Sequence, residues 1–175
     1  MQKNKYTFKK ATIKDLNTFW PAFAKNIKTQ FPEYSIKTRK AFLEKEYPLQ
    51  YIEEGLKDKR IALYLAYSKN EVAGFLYTTY ICGGIGMANW LAVAKEHQGH
   101  GIATALLKMW QKDAKRLGMH KIHLWTDKRN LDFYKKQGFT YVGKIPKSYY
   151  GADDYLFYKI LQPPKENNFL KRIKL

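Results

Sequence analysis

Apolar and polar positions alternate along the chain in two rhythms, and each change of rhythm marks an element. Residues 6–13 alternate weakly and predict a first strand. Behind Asp15, an N-cap candidate, Leu16, Phe19, Trp20 and Phe23 recur at helical spacing. Pro21 falls in the first turns of that helix and Pro32 closes it. A second helical stretch, 38–56, contains Pro48 and predicts two short helices or one kinked helix. Stretches 61–68 and 71–81 have strand character and are joined by Lys69-Asn70, a turn dipeptide, as a hairpin. The glycines in 82–86 predict a loop or tight turn, and 87–93 a strand.

The second half carries stronger periodicity. Ile102, Leu106, Met109, Trp110, Ala114 and Leu117 lie on one face, opposite Lys108, Gln111, Lys112 and Lys115. Lys115 and Arg116 suit the last turn of this helix, and Gly118 suits the position just past its end. A strand at 121–126, a short helix at about 130–137 closed by Gly138, and strands at 141–145 and 155–160 follow. This order predicts an α/β (mixed α+β) fold: one three-layer domain over 1–160, with a central, mixed, mostly antiparallel sheet of about seven strands, a β-α-β core and helices on both faces. Two prolines and a basic run in 161–175 predict a C-terminal tail that docks late or not at all.

Composition narrows the classes. In 175 residues, 45% apolar and 16% aromatic side chains exclude wholesale disorder. No run approaches the ~18 apolar residues of a bilayer span, so no membrane is expected. The first fourteen residues contain no apolar secretion core, and the expected location is cytoplasmic. Cys82, alone, can make neither an internal disulfide nor a thiolate zinc cage. His97, His100, His120 and His123 form no metal-ligand spacing, so no metal is expected. The formal charge is +17, and 27 of the 32 basic residues are lysine. Such an excess is compatible with nucleic acid, but the scatter of the lysines does not favour it.

The chemistry concentrates after the strand at 87–93. Leu91, Ala92 and Val93 end that strand, and Gln98, Gly99, His100 and Gly101 form a turn that opens the helix at Ile102, Ala103 and Thr104. Backbone N–H groups and the positive end of the helix then converge on one spot, an anion site that two glycines leave accessible. Gln98-x-x-Gly101-x-Ala103 resembles the acyl-CoA-binding motif of the GNAT superfamily of N-acetyltransferases, Gln/Arg-x-x-Gly-x-Gly/Ala. A later block, Asn130, Tyr134 and Gly138-Phe139, resembles a second segment of that family. The site is not of the Rossmann or P-loop kind: a third glycine, an acidic ribose ligand and a Gly-Lys-Ser/Thr step are all missing.

The resemblance implies acetyl-CoA as cosubstrate and acetyl transfer to a primary amine by direct attack. It implies pyrophosphate binding by the N–H groups of Gly99 to Thr104. The backbone of Leu91 to Val93 would run beside the pantetheine arm and supply an N–H to the oxyanion. Asn130 would bond the pantetheine amides, or serve equally as a helix N-cap. Tyr134 is the implied general acid; its alternative is packing on the sheet beside Phe133. Met87, Ala88, Asn89 and Trp90 offer no carboxylate where some families of this fold carry a glutamate, which leaves Glu33, Glu71, Asp153, Asp154 or a water as the base. Cys82 lacks a sequence partner to make it a nucleophile.

The acceptor side is read from charge. Positions 33–58 hold six acids and five bases, and 148–154 combine tyrosines with Asp153 and Asp154. A cationic amine, free or on a peptide, suits both stretches. A reading of another class is a non-catalytic, GNAT-like protein that senses CoA or docks on RNA or ribosome through its lysines. Monomer and homodimer are both compatible with the sequence.

Overall fold

The computed structural model describes residues 5–170. Its elements in chain order are β1 (Thr7–Lys10), α1 (Leu16–Gln30), α2 (Ile36–Ala41), α3 (Leu49–Lys57), β2 (Ile61–Ser68), β3 (Glu71–Tyr80), β4 (Ile85–Val93), α4 (Ile102–Arg116), β5 (Lys121–Thr126), α5 (Leu131–Lys136), β6 (Thr140–Ile145), β7 (Asp154–Ile160) and α6 (Glu166–Leu170). The seven strands form one mixed sheet in the order β1-β2-β3-β4-β5-β7-β6, flanked by helices, which is the α/β architecture expected. β4 and β5 are parallel, in register from Ile85↔Lys121 to Ala88↔Leu124, whereas the β1–β2, β5–β7 and β6–β7 pairs are antiparallel. The chain divides into two compact units, one made of the segment ending at Tyr77 plus Trp90–Leu106, the other of Thr78–Asn89 plus the segment from Leu107 on.

The first unit is built on aromatic packing. Leu16, Phe19, Phe23 and Ile27 form the buried stripe of α1 at helical spacing, and Phe75 meets Phe19 and Phe23 with ring centroids 5.3 and 5.6 Å apart. Each fully buried Phe contributes about 1.5–3 kcal/mol relative to exposure. Asp15 stands at the N-cap position of α1, but its side chain makes no cap bond there. Its carboxylate turns back to accept the N–H and Oγ of Thr12 at 2.8 and 3.1 Å, and Lys9 Nζ sits 2.8 Å away, so the chain tightens into a 3-10 turn at Ile13–Asp15 before the helix opens. Pro21 therefore lies in the second turn, where the Asn17 carbonyl forfeits its helix donor. Pro48 does break the second helical stretch: α2 runs into a π-turn closed by Tyr47 N–H on the Phe42 carbonyl, and Pro48 caps α3.

Gly74, in the middle of β3, permits a close approach within this unit. A methyl group there would sit 3.0 Å from the Ala92 carbonyl oxygen, 3.0 Å from Ile102 Cγ2 and 3.2 Å from Val93 Cγ2.

In the second unit, Leu107, Trp110, Ala114, Ile122, Leu124 and Phe157 are buried. Met109 and Leu117, expected on the inner face of α4, are only half-buried, and Leu107 takes the place beside Leu106. The turn expected at 82–86 ends early, because Ile85 and Gly86 already belong to β4. Gly86 is needed there for space: its Cβ would lie 2.8 Å from the Met119 sulfur. Residues 161–170, expected as a loose tail, are docked. Leu161 is buried, Gln162 Nε2 donates to the Met119 and Lys115 carbonyls, and the Phe169 ring lies 5.2 Å from His120. The rest of the predicted tail, 171–175, lies outside the described residues. No helix among them is long and apolar enough to cross a membrane.

Gly74→Ala is expected to destabilise the protein by about 1–3 kcal/mol, because the added methyl meets backbone and not a flexible side-chain end. Urea unfolding measures it; an unchanged midpoint would show that the Ala92 carbonyl moves aside at no cost.

Candidate active site

In the first unit, β4 ends at Val93 and the chain takes a single 3-10 turn, Lys95–His97, before α4. The exit is held at the Val93 carbonyl, which accepts the side-chain amides of Gln98 at 3.2 Å and of Gln30 at 3.4 Å. Gln30 is itself anchored, donating to the carboxamide oxygen of Asn26, a buried side chain. One residue further on, Ala94 N–H donates to the Ala73 carbonyl at 2.9 Å. The Gln98 side chain thus ties the turn to the strand it follows.

Gly99 and Gly101 have φ of 77° and 76°, in the left-handed region that other residues enter at a cost. Nothing lies within 4 Å of where a Cβ would stand on either, so these glycines serve conformation and leave open space before the backbone. His100 between them binds its Nδ1 to the Gln98 carbonyl at 2.8 Å, and Tyr6 packs edge-on against both His97 and His100. The first i→i−4 bond of α4 is Ala105 N–H to the Gly101 carbonyl. The N–H groups of Ile102, Ala103 and Thr104 therefore have no partner within the helix and point out of its positive end. Ile102 is 1% exposed, so only its backbone is available for binding. Ala92 is buried, while Leu91 and Val93 are half-buried. The expected residues from Leu91 to Thr104 are thus one continuous exit, turn and helix start.

The second unit holds the other two expected site residues. Asn130 is at the N-cap position of α5, but its side chain does not cap. Its Nδ2 donates instead to Thr126 Oγ1 at 3.2 Å and Asp127 Oδ2 at 3.4 Å. Asp127 caps the preceding 3-10 turn, Lys128–Asn130, accepting the Arg129 N–H at 2.7 Å. Asn130 is exposed at the end of β5. Tyr134 is 7% exposed, in a ring cluster with Phe133, Phe139 and Phe157 at centroid distances of 5.0, 5.8 and 5.8 Å. Burial, and then the Asp127 charge, hold its phenol well above the ordinary tyrosine range, so it stays protonated. Phe133, its neighbour on the helix, is half-buried.

Among the proposed bases, Glu33 and Glu71 are exposed, and Asp153 is engaged by Lys144 Nζ at 2.5 Å and the Lys147 N–H at 3.1 Å. Asp154 is buried. His123 is kept neutral mainly by burial, and Cys82 is an exposed free thiol. No cluster of three or more metal-ligating side chains occurs among the described residues. Two positioning residues carry signals that local sequence reading passes over. A glycine inside a strand pattern, Gly74, marks a close backbone approach. Gln30, the last polar residue of α1, gives no local sign of its bond to Val93.

A strand that exits through a glycine turn into a helix, followed by a parallel neighbouring strand, makes a β-α-β crossover within an α/β fold. The model of the acetyltransferase (GNAT) domain matches residues 59–141, so this stretch is similar to that family. No curated protein matches by sequence. Among solved structures, the PaiA N-acetyltransferase of Thermoplasma acidophilum in complex with coenzyme A is 19% identical, with a TM-score of 0.75 over 90% of this chain and 99% of its own. YncA of Salmonella typhimurium, a putative acetyltransferase with acetyl-CoA, is 17% identical at a TM-score of 0.72, covering 93% and 99%. A GNAT-family acetyltransferase of Streptococcus pneumoniae is 20% identical at a TM-score of 0.72, covering 89% and 99%.

Gln98→Ala is expected to free the turn from Val93 without unfolding the protein. One hydrogen bond of about 0.5–1.5 kcal/mol is lost, so the hydrogen-bonded amides of His97 and Gln98 should exchange about two- to tenfold faster while those of β2 and β3 keep their protection. Equal exchange throughout would assign the restraint to Gln30 alone.

Proposed function

We propose that the protein transfers an acetyl group from acetyl-CoA to a primary amine, by direct attack and with no covalent enzyme intermediate. The observation that carries this reading is the turn from Gln98 to Gly101, whose two left-handed glycines leave open space before the free N–H groups at the start of α4. A pyrophosphate there would meet backbone donors and the positive helix end without displacing a side chain.

The remaining roles follow from the chemistry. The neutral amine nitrogen attacks the thioester carbonyl and the carbon–sulfur bond breaks. An N–H of the Leu91 to Val93 strand end is assigned to the oxyanion, because a fixed backbone dipole needs no reorganisation as charge develops. Asn130, exposed and with its carboxamide oriented by Thr126 and Asp127, is assigned to the pantetheine amides. Tyr134 is assigned to protonate the departing thiolate, while the amine gives up its own proton to water. Burial keeps this phenol protonated and also makes it a weaker acid than a free tyrosine, so its donation is tied to the breaking of the carbon–sulfur bond.

Acetyl-CoA is expected to raise the melting temperature, and Gly101→Glu to abolish that rise, since its carboxylate would stand where the phosphates bind. Gly101→Asn, which tolerates the left-handed backbone, should retain part of the binding. No shift in the parent protein at millimolar acetyl-CoA would sink the reading, and binding without thiol release across an amine panel would favour a CoA-sensing protein. Tyr134→Phe should lower kcat by about 10²-fold while acetyl-CoA affinity stays within about 1 kcal/mol. Unchanged kcat makes Tyr134 a packing residue; collapsed binding means that it holds the cofactor.

A further inference from the structure

Two helical rows of the first unit face one another across a groove. Trp20, Ala24 and Lys28 stand at i, i+4 and i+8 on α1. Opposite them, Ile36, Arg39, Lys40, Leu43 and Glu44 share one face of α2 and of the π-turn that continues it. The groove between the rows holds about 490 Å³, a volume in which a small molecule fits. Its lining shares no residue with the glycine turn at 98–101.

Apolar and charged parts of this lining are each held in place. Leu43 is buried, and the Trp20 ring rests on Phe23 of the core at a centroid distance of 5.7 Å. Ile36 is 80% exposed, more than any other large apolar side chain among the described residues. Ser35 fixes it there by capping α2, accepting the Thr38 N–H at 3.1 Å. An apolar side chain kept in water at the lip of an apolar groove gains from a hydrocarbon laid against it. Of the charges, Glu44 is engaged by Lys40 at 3.8 Å, so Lys28 and Arg39 give the groove its positive sign. Arg39 Nη1 donates to the Lys28 carbonyl at 2.5 Å, which anchors the guanidinium to the main chain. A guanidinium fixed in this way still has an edge of its fork for the two oxygens of a carboxylate.

We propose that this groove is a binding site for a small amphipathic carboxylate, the anion of a medium-chain fatty acid. Its carboxylate is held by Arg39 and Lys28, and its chain lies over Trp20, Leu43 and Ile36. Along α1, Lys28 and Trp20 are eight residues apart, about 12 Å, the reach of an extended medium-length chain. The site stands independently of acetyl transfer, because no part of it uses the glycine turn or a cofactor.

The test is calorimetric titration of the intact protein with decanoate, decanol and decyltrimethylammonium. Decanoate should bind as one equivalent, about tenfold or more tighter than either analogue. Shortening it towards hexanoate should cost about two- to fourfold in affinity per methylene. Arg39→Gln with Lys28→Gln should weaken decanoate about tenfold or more, and Ile36→Ser about threefold. Ile36 and Lys28 are exposed, so changing them leaves the core untouched. Lys108→Gln with Lys112→Gln, which removes the same charge from the exposed side of α4, should leave the affinity unchanged. No measurable decanoate binding, equal affinity for decanol, or indifference to either groove variant would overturn the assignment. So would an equal loss in the α4 variant, which would mean attraction to the net charge of the whole surface. Saturating CoA should leave decanoate binding undiminished; displacement by CoA would move the fatty anion to the glycine turn and overturn the groove. Decanoate held in the groove by a protein that ignores acetyl-CoA would discard acetyl transfer and keep this site. Acetyl-CoA turnover without groove binding would do the reverse.

Discussion

A missing methyl group at position 74 is the constraint on which the strand exit and glycine turn of the first unit depend. With only hydrogen on that Cα, β3 takes the Ala92 carbonyl and the Ile102 side chain so closely that a Cβ would stand 3.0 Å from each. The approach fixes where β4 stops and where α4 starts, and two amides then close on the single carbonyl of Val93. Rigidity accumulates at the strand end, so the glycine turn beyond it can be open without being loose. Binding to such a turn demands little ordering of the protein, and affinity that would go into ordering a floppy loop remains available.

Much of the fold was legible because its signals are local. The alternation in β2 and β5 and the proline before α3 each act within a few residues, and all three elements stand where the periodicity puts them. What escaped was decided from a distance. Gly86 looks like turn material, but the reason for it is the Met119 sulfur, thirty-odd positions away, which requires a strand without a side chain. Asp15 looks like a helix cap by composition, and Lys9 and Thr12 draw its carboxylate back instead. The docking of 161–170 depends on the carbonyls of Lys115 and Met119, which no local pattern in that proline-bearing stretch announces.

The candidate site divides along the same line. The turn is written in consecutive residues, and its glycines do what a helix-opening turn requires. Asn130 stands at the start of α5 as its place in the sequence suggests, but its carboxamide makes no cap bond and turns to Thr126 and Asp127. The alternation of β7 then separates two chemistries that sequence lists side by side. Phe157 packs against the Tyr134 ring on one face of the sheet, while Asp154 falls on the other. A two-residue period thus puts neighbours in the sequence on opposite faces of the sheet.

The interleaving of the two compact units bears on how the chain is made. The polypeptide passes from one unit to the other three times, at 77/78, 89/90 and 106/107, so neither is contiguous. On a ribosome, β2 and β3 emerge with Phe75 and Tyr77 on them well before the Trp90–Leu106 segment that completes their unit. At about 5–20 residues per second, that interval lasts on the order of seconds. For that time, two long apolar strands are synthesised but not yet enclosed, the state in which edge pairing between nascent chains competes with folding. The second unit waits longer still, until α6 has left the exit tunnel. A slower ribosome would lengthen the exposure and a faster one would shorten it, which ties the yield of this protein to the pace of its translation.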